Sequence, residues 1–210
     1  MMNKKGILIT LEGNEGCGKT TQIKLLRDWL GRCGKKVFLT REPGGTPTSD
    51  AIRSILLDDD KKNISPVTET LLYMASRAQL VNDVIKPKLG QGYIILCDRW
   101  LDATLAYQGF GGGVDARWIE ALGKKVTQGI RPKRTVFFDL PLEIGLKRAT
   151  ECRSADRIEK KSVAFHRKVR QGYLWIAEKE PRRFKTLKVD SAESISDIHE
   201  RIKAILKDVV

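Results

Sequence analysis

The sequence predicts an α/β fold in which a five-stranded parallel sheet carries helices on both of its faces. Two observations support this prediction. Short apolar runs rich in Val, Ile, Leu and Phe alternate along the chain with longer amphipathic segments. The apolar runs show little polar–apolar alternation, which is typical of strands buried on both faces. Strands that alternate with helices form parallel sheets, because a helical crossover returns the chain to the same edge.

The predicted elements follow from these runs and from helix-start residues. The five strands are expected at residues 7–12, 36–40, 93–97, 134–140 and 186–190. Helical stretches are expected near residues 19–31, 47–57, 66–89, 115–129 and 141–152. Pro66 and Pro141 suit the first turn of a helix, because the backbone N–H that proline lacks would have no partner within the helix there. Ser191 is expected to cap a last helix that ends near Asp208.

One polar segment interrupts this alternation. The stretch "KRATECRSADRIEKK", residues 147–161, contains three arginines and reads as a helix end, a loop and a helix start. It is either an ordinary solvated connection or a lid that closes over phosphate groups. Since no linker divides the chain, we expect one domain over residues 1–210, with a lid at approximately 149–160.

Composition narrows the class of protein. Lys plus Arg number 39 against 26 Asp plus Glu, a net charge of +13 that fits nucleotides or nucleic acid as partners without choosing between them. No apolar run approaches the roughly 20 residues of a membrane helix, and no signal-peptide pattern is present, so we expect a cytoplasmic protein with no membrane partner. The four cysteines form no C-x-x-C pair, which argues against zinc and against a disulfide framework.

The strongest motif lies in "LEGNEGCGKTTQ", residues 11–22. It contains G-x-x-x-x-G-K-T between a predicted strand and a predicted helix, which is the context that a phosphate-binding loop (P-loop) requires. Glycines let the loop amides point at phosphate oxygens, Lys19 can reach the β- and γ-phosphates, and Thr20 can ligate Mg²⁺. The predicted ATP-binding residues here are Gly13, Asn14, Glu15, Gly16, Cys17, Gly18, Lys19, Thr20 and Thr21.

Charged residues follow two further strands. Asp98 and Arg99 follow the apolar part of "YIILCDRW", residues 93–100. They lie at the carboxyl end of a predicted strand, where open α/β sheets bind ligands. Asp98 is our candidate for holding Mg²⁺, possibly through water, and Arg99 for binding an acceptor phosphate; the alternative is a surface ion pair of little consequence. Asp139 competes with Asp98 for the metal role. Glu15 either faces solvent or contacts the acceptor sugar or the metal.

A second group of residues suggests an acceptor pocket. "TREPGGT", residues 40–46, forms a tight loop after the second strand, and Arg53 lies one helix further on. Tyr73 and Arg77 are four residues apart and therefore share one helix face. An aromatic ring beside a donor suits a planar base, although simple helix packing would explain the same spacing.

Together these stretches resemble bacterial thymidylate kinases. The matching segments cover most of the chain in the family's order: "EGNEGCGKTTQ", "TREPGGTP", "LLYMASRAQLV", "CDRWLDATLAYQGFGGGV", "FDLPLEIGLKR", "DRIE" and "FHRKVRQGY". The resemblance implies a three-layer P-loop nucleoside monophosphate kinase fold with a short lid, usually a homodimer. It also implies the reaction ATP + dTMP → ADP + dTDP with Mg²⁺, a step of dTTP biosynthesis that proceeds by in-line phosphoryl transfer.

The resemblance assigns roles to individual residues. Arg53 and Arg99 would hold the dTMP phosphate, with Glu42 supporting these arginines. Tyr73 stands where the family usually has a stacking Phe, and Arg77 would donate to thymine O4. Further dTMP contacts are implied for Glu15 near the sugar and phosphate, Thr104 and Gln108 near N3, and Tyr107 against the deoxyribose.

The resemblance also directs the search for the catalytic cation. Some family members have a basic residue after the P-loop acid, whereas others have glycine there and supply arginines from the lid. Gly16 after Glu15 indicates the second kind, which makes Arg153 and Arg157 the candidates. With Lys19, Arg99 and Glu15 they complete the expected catalytic set, and Arg148 would lie over the adenine. Two alternatives stay open: a kinase for another nucleoside monophosphate such as dUMP, and a P-loop ATPase that binds nucleic acid, although no specific nucleic acid is expected.

Overall fold

A five-stranded parallel sheet forms the centre of the structure, as predicted. The structure, a computed structural model, describes residues 6–60, 63–152 and 156–210, without the side chains of residues 149–152. The strands lie in the order β2-β3-β1-β4-β5. Their bounds are Ile7–Gly13 (β1), Val37–Arg41 (β2), Ile94–Asp98 (β3), Arg134–Asp139 (β4) and Phe184–Lys188 (β5).

The helices cover both faces of this sheet. Within the described residues their bounds are Lys19–Arg32 (α1), Pro47–Leu57 (α2), Pro66–Leu80 (α3), Lys86–Gly90 (α4), Leu101–Thr104 (α5), Ala116–Val126 (α6), Leu142–Cys152 (α7), Val163–Lys179 (α8) and Ile195–Leu206 (α9). Pro66 opens α3 after Ser65, whose hydroxyl accepts a hydrogen bond from the Thr68 amide, as expected of a capped helix start. None of these described helices combines the length and the apolar character that crossing a membrane requires.

Two π-helical segments depart from the predicted pattern. Val81–Ile85 joins α3 to α4 inside the stretch predicted as one helix over 66–89. Leu105–Gly111 extends α5 over residues for which no helix was predicted. Segments of this kind often occur at functional sites. Their extra residue per turn depends on tertiary packing, for which local sequence carries no reliable signal.

Two predictions at the C-terminal end were inaccurate. Ser194, not Ser191, caps the last helix: its hydroxyl accepts from the Asp197 amide. Strand β5 lies two residues earlier than predicted, at Phe184–Lys188 instead of 186–190. Residues 163–179 form a long helix, α8, which was not predicted; the sequence indicated only a helix start within residues 147–161. This helix packs on the π-helical segment Leu105–Gly111 and therefore supports the candidate site.

Adjacent strand residues belong to opposite faces of the sheet. Val136 packs with the apolar cluster that contains Leu26 of α1 and Ile202 of α9. Phe137, the next residue, packs in another cluster with Tyr173 of α8. Since successive strand side chains point to opposite faces, burial of both neighbours shows that helices cover the sheet on both sides. Because helices cover both faces, a ligand-binding site is expected at the edge of the sheet, where the carboxyl ends of β1 and β3 lie.

Candidate active site

A cavity of ≈ 730 Å³ opens at the carboxyl ends of β1 and β3. It is bounded by the loop after β1, by the end of β3, and by side chains from α2, α3 and the segment 101–111. It brings together most of the residues predicted from the sequence: Glu15, Gly16, Cys17, Gly18, Lys19, Thr20, Thr21, Glu42, Arg53, Tyr73, Arg77, Asp98, Arg99, Thr104, Tyr107, Gln108 and Arg148. Residues separated by more than one hundred positions thus line one space large enough for small-molecule ligands.

The loop between β1 and α1 has the geometry of a phosphate-binding loop. The Lys19 ammonium donates to the carbonyls of Gly13 and Asn14, each at 3.0 Å, and so lies across the loop. Helix α1 begins at Lys19, which directs its positive dipole end toward the loop. Gly16 has φ +67°, and a Cβ there would collide with the Gly145 carbonyl at the start of α7. Close packing against α7 therefore requires glycine at this position. This requirement holds whether or not the lid supplies the catalytic cation.

Arg99 is held beside the loop by an acid and two phenols. Its guanidinium forms an ion pair with Glu15, donates to the Tyr173 hydroxyl at 3.2 Å and lies 5.0 Å from the centre of the Tyr107 ring. Burial acts to lower the pKa of Arg99, but the Glu15 carboxylate and the phenols outweigh it and keep the pKa above its usual value. Arg99 is consequently a permanent cation at the cavity wall.

The conformation of Arg99 depends on Glu12, which sequence reasoning missed. Arg99 has φ +69°, an unfavourable left-handed conformation for a residue with a side chain. The next amide, that of Trp100, donates to Glu12 Oε1 at 2.8 Å, and the Tyr173 hydroxyl donates to Oε2 at 2.9 Å. Because Glu12 is fully buried, its pKa rises from 4.5 to about 8. One buried carboxyl thus supports Arg99 through its backbone and through Tyr173.

Arg77 is fixed by a buried carboxylate on the far side of the cavity. Its Nε donates to Glu42 Oε2 at 2.8 Å, and its Nη2 donates to Thr104 Oγ1 at 2.9 Å. Burial raises the pKa of Glu42 to about 6, although Arg77 opposes the rise. Glu42 was expected to support Arg53 and Arg99; in this structure it contacts Arg77. Arg53 donates to the Pro43 carbonyl at 2.9 Å.

Gln108 meets a second buried carboxylate, that of Glu69. Gln108 Nε2 donates to Glu69 Oε1 at 2.8 Å, and Arg157 Nη2 donates to Glu69 Oε2 at 2.5 Å. Arg157 therefore contacts the predicted acceptor pocket through Glu69 in this structure. Sequence reasoning missed Glu69, although its spacing carried a signal: Glu69, Tyr73 and Arg77 recur every four residues and share one face of α3.

The two strand-end aspartates have different surroundings. Asp139 forms a two-pronged ion pair with Arg170, at 2.6 and 2.9 Å. Asp98 lines the cavity, and its buried Oδ1 has no hydrogen-bond partner within the part of the chain that the structure describes. Across the same part, no three His, Cys, Asp or Glu side chains converge as a metal site. A metal held by Asp98 would thus need ligand oxygens and water to complete its coordination.

Arg148 and Arg153 are two further residues that were predicted to belong to the site. Arg148 lines the cavity, and its Nη2 donates to the Ser191 carbonyl at 3.2 Å. Arg153 lies outside the described residues. Asp156, Ile158 and Glu159, in the segment predicted as a lid, line the same cavity, although none of the three was predicted as a site residue.

Several known proteins similar to this chain are described as thymidylate kinases. A family model described as thymidylate kinase matches residues 11–202. The thymidylate kinase of Geotalea uraniireducens (strain Rf4) is 48 % identical over 205 residues, which make up 95 % of each chain. That of Symbiobacterium thermophilum is 40 % identical over 97 % of this chain and 94 % of the relative. The crystal structure of thymidylate kinase from Ehrlichia chaffeensis aligns with a TM-score of 0.79 at 31 % identity, covering 96 % of this chain and 98 % of that one.

Proposed function

This chain belongs to the thymidylate kinase family, and from that premise we propose that it transfers the γ-phosphoryl group of ATP to dTMP, giving ADP and dTDP. The observation that carries the proposal is the continuity of one cavity from Lys19, in the phosphate-binding loop, to Arg77 and Gln108. A donor phosphate at one end and a pyrimidine at the other would bring the reacting groups together between them, beside Arg99.

On the donor side, the loop amides and Lys19 bind the ATP phosphates. Lys19 Nζ already lies across the loop on two carbonyls, so a short movement brings it onto the β- and γ-phosphates. The α1 dipole adds to this positive field. Arg148, which lines the cavity and donates to the Ser191 carbonyl, suits the adenosine end of ATP.

On the acceptor side, Arg53 and Arg99 bind the dTMP phosphate, and α3 with the segment 101–111 binds the base. Tyr73 stacks on thymine while Arg77 donates to O4 and Thr104 and Gln108 lie near N3. Tyr107 packs against the sugar, where its ring would crowd a 2′-hydroxyl. Glu15 contacts both Arg99 and Tyr107, which supports a role in positioning the acceptor sugar and phosphate.

The residues at the junction favour in-line transfer. The acceptor phosphate oxygen is already anionic, so the reaction needs no general base. Arg99 stays cationic and can hold that oxygen in line while it attacks the γ-phosphorus, and Lys19 stabilises the charge that develops on the transferred group. Arg153 and Arg157 are the proposed lid arginines that complete this neutralisation, with the lid at approximately 149–160 in a domain that spans the whole chain.

A magnesium ion fits the donor set at the loop. Asp98, through water, and Thr20 would hold it, since Asp98 lines the cavity, its buried Oδ1 has no hydrogen-bond partner among the described residues, and Thr20 follows Lys19. When bound, Mg²⁺ would neutralise negative charge on the ATP phosphates.

Assembly and location complete the proposal. We propose a homodimer formed through α2, α3 and α6, helices that pack on one another and expose Ile55, Leu71 and Trp118. Leu71→Glu should then convert the dimer to a monomer in light scattering, whereas Ile195→Glu on α9 should not.

The thiols of Cys17, Cys33 and Cys97 are free of disulfides, which supports a reducing, cytoplasmic location.

One assay tests the function and its alternatives. ADP release from ATP-Mg is measured with dTMP, dUMP, TMP, dCMP and dAMP, and with single-stranded DNA. The proposal expects the highest kcat/KM with dTMP. No stimulation by dTMP would reject it, a preference for dUMP would reassign the substrate, and stimulation by DNA alone would favour a nucleic-acid-binding ATPase.

A further inference from the structure

Glu69 dictates which end of the Gln108 amide faces the cavity. A carboxylate only accepts hydrogen bonds, whereas a glutamine amide has one donor end and one acceptor end. Gln108 Nε2 lies 2.8 Å from Glu69 Oε1, and Gln108 also lines the cavity. The amide nitrogen must therefore face Glu69. This orientation leaves the carbonyl oxygen, Oε1, as the end available to a bound base.

The surroundings of Glu69 keep it an acceptor. Arg157 Nη2 lies 2.5 Å from Oε2, and Lys161 Nζ lies 3.4 Å from Oε1. Both partners are donors only, and the Glu69 side chain is 3 % exposed, so water does not compete for it. Donors thus surround both Glu69 oxygens, and the Glu69 side chain in turn fixes the orientation of Gln108.

We propose that Glu69 is a specificity-determining positioning residue that makes the pocket accept thymine or uracil and reject cytosine. This inference depends on the proposed function. Thymine and uracil carry a hydrogen at N3 and a carbonyl at position 4, whereas cytosine has a bare N3 and an amino group at position 4. Gln108 Oε1 matches the first pattern and repels the second.

The pocket contains the same arrangement a second time. Glu42 holds Arg77 by bonds to its Nε and Nη2, as Glu69 holds Gln108 by a bond to its Nε2. Arg77 is a donor and so suits O4, while Gln108 Oε1 is an acceptor and so suits N3–H. Two buried carboxylates therefore set a donor–acceptor pair that is complementary to one edge of the base.

The Glu69→Gln substitution tests the proposal by reversing the polarity. Arg157 demands an acceptor, so the new amide turns its oxygen to Arg157 and its nitrogen to Gln108. Gln108 must then present its own oxygen to residue 69 and its nitrogen to the cavity. The ratio of kcat/KM for dTMP to that for dCMP should fall by about tenfold or more, the scale of one mismatched buried hydrogen bond. The ratio for dTMP to dUMP should not change, because both bases carry N3–H.

Two further variants separate this role from general damage to the pocket. Lys161→Arg perturbs the other ion pair of Glu69 but keeps a donor against it, so it should leave the dTMP/dCMP ratio unchanged. In a Gln108→Leu background, Glu69→Gln should have no further effect on that ratio, because Glu69 acts only through Gln108. An equal loss of selectivity in Lys161→Arg, or an undiminished effect of Glu69→Gln without Gln108, would overturn the proposal.

The outcomes distinguish this inference from the proposed function. If the wild-type enzyme does not phosphorylate dTMP, the function itself fails; if it does and Glu69→Gln keeps full discrimination against dCMP, only the role of Glu69 fails. Should Glu69→Gln not fold, the wild-type protein still decides. Its Gln108 side-chain amide signals, assigned by their loss in Gln108→Leu, should exchange slowly with water before nucleotide is added. Exchange as rapid as that of an exposed glutamine would refute the orientation.

Discussion

Arg77 and Glu42 form an almost wholly buried ion pair: Nη2 lies 2.6 Å from Oε2, and the side chains are 1 % and 3 % exposed. Removing one partner of such a pair leaves an uncompensated charge in the interior, which costs about 3–5 kcal/mol. The pair also fixes the donor group proposed for thymine O4. Under the proposed function, Arg77 therefore links the stability of the protein with its recognition of the base.

Arg77→Ala should weaken dTMP binding and also lower the free energy of unfolding, because Glu42 loses its counter-ion. Adding Glu42→Gln removes the stranded charge, so the double variant should recover stability without recovering affinity. Calorimetry of dTMP binding and denaturant unfolding measure the two effects separately. If dTMP affinity survives in Arg77→Ala, the assignment of the base pocket is wrong.

Glu12→Gln should change how stability depends on pH. The pKa of Glu12 is about 8 in the folded protein against 4.5 as the ordinary value, so between these values the native state retains a proton that the unfolded chain has lost. The wild-type protein consequently loses stability as pH rises from 4.5 towards 8. Glutamine does not titrate and avoids this loss.

The free energy of unfolding of Glu12→Gln, relative to that of the wild-type protein, should thus increase with pH. The gain should be of the order of a few kcal/mol near pH 8. Urea unfolding of both proteins at several pH values measures the difference. Asp102 and Arg99 also act on the Glu12 carboxyl and remain in both proteins. Glu120→Gln, at an exposed position, is the matched control. A pH-independent difference for Glu12→Gln would contradict the prediction.

Asp98→Asn should raise the Mg²⁺ concentration needed for half-maximal activity, because the substitution removes the carboxylate charge that is proposed to hold Mg²⁺. Asp139→Asn offers a matched control at the end of the next strand, where the carboxylate already binds Arg170. It should change stability more than the Mg²⁺ requirement. A larger Mg²⁺ shift in Asp139→Asn than in Asp98→Asn would exchange the two roles.

Arg153→Ala and Arg157→Ala should each lower kcat by orders of magnitude with little change in dTMP binding, if the lid supplies the catalytic cation. Arg157→Ala should in addition destabilise the protein, since the buried Glu69 then keeps Gln108 as a donor but loses the nearer of the two cations described beside it. Single-turnover kinetics and dTMP titration separate the effects. Unchanged turnover in both variants would refute the assignment to the lid.

Much of this protein is determined by local sequence. The five strands and the loop from Gly13 to Thr20 are specified by apolar runs and by glycine spacing, signals that lie within a few adjacent residues. The proximity of Asp98 and Arg99 to that loop also follows from the sequence, because parallel strands bring their carboxyl ends to one edge. Motif resemblance then indicated the family, which the comparisons confirmed.

Only the tertiary structure decided which buried acid serves which functional group. Glu42 contacts Arg77 instead of the expected phosphate arginines, Glu12 supports Arg99, and Glu69 faces both Gln108 and Arg157. These contacts join residues 35 to 88 positions apart. A buried carboxylate must find donors wherever packing brings them, and that choice depends on how α3, α8 and the π-helical segment meet around the sheet.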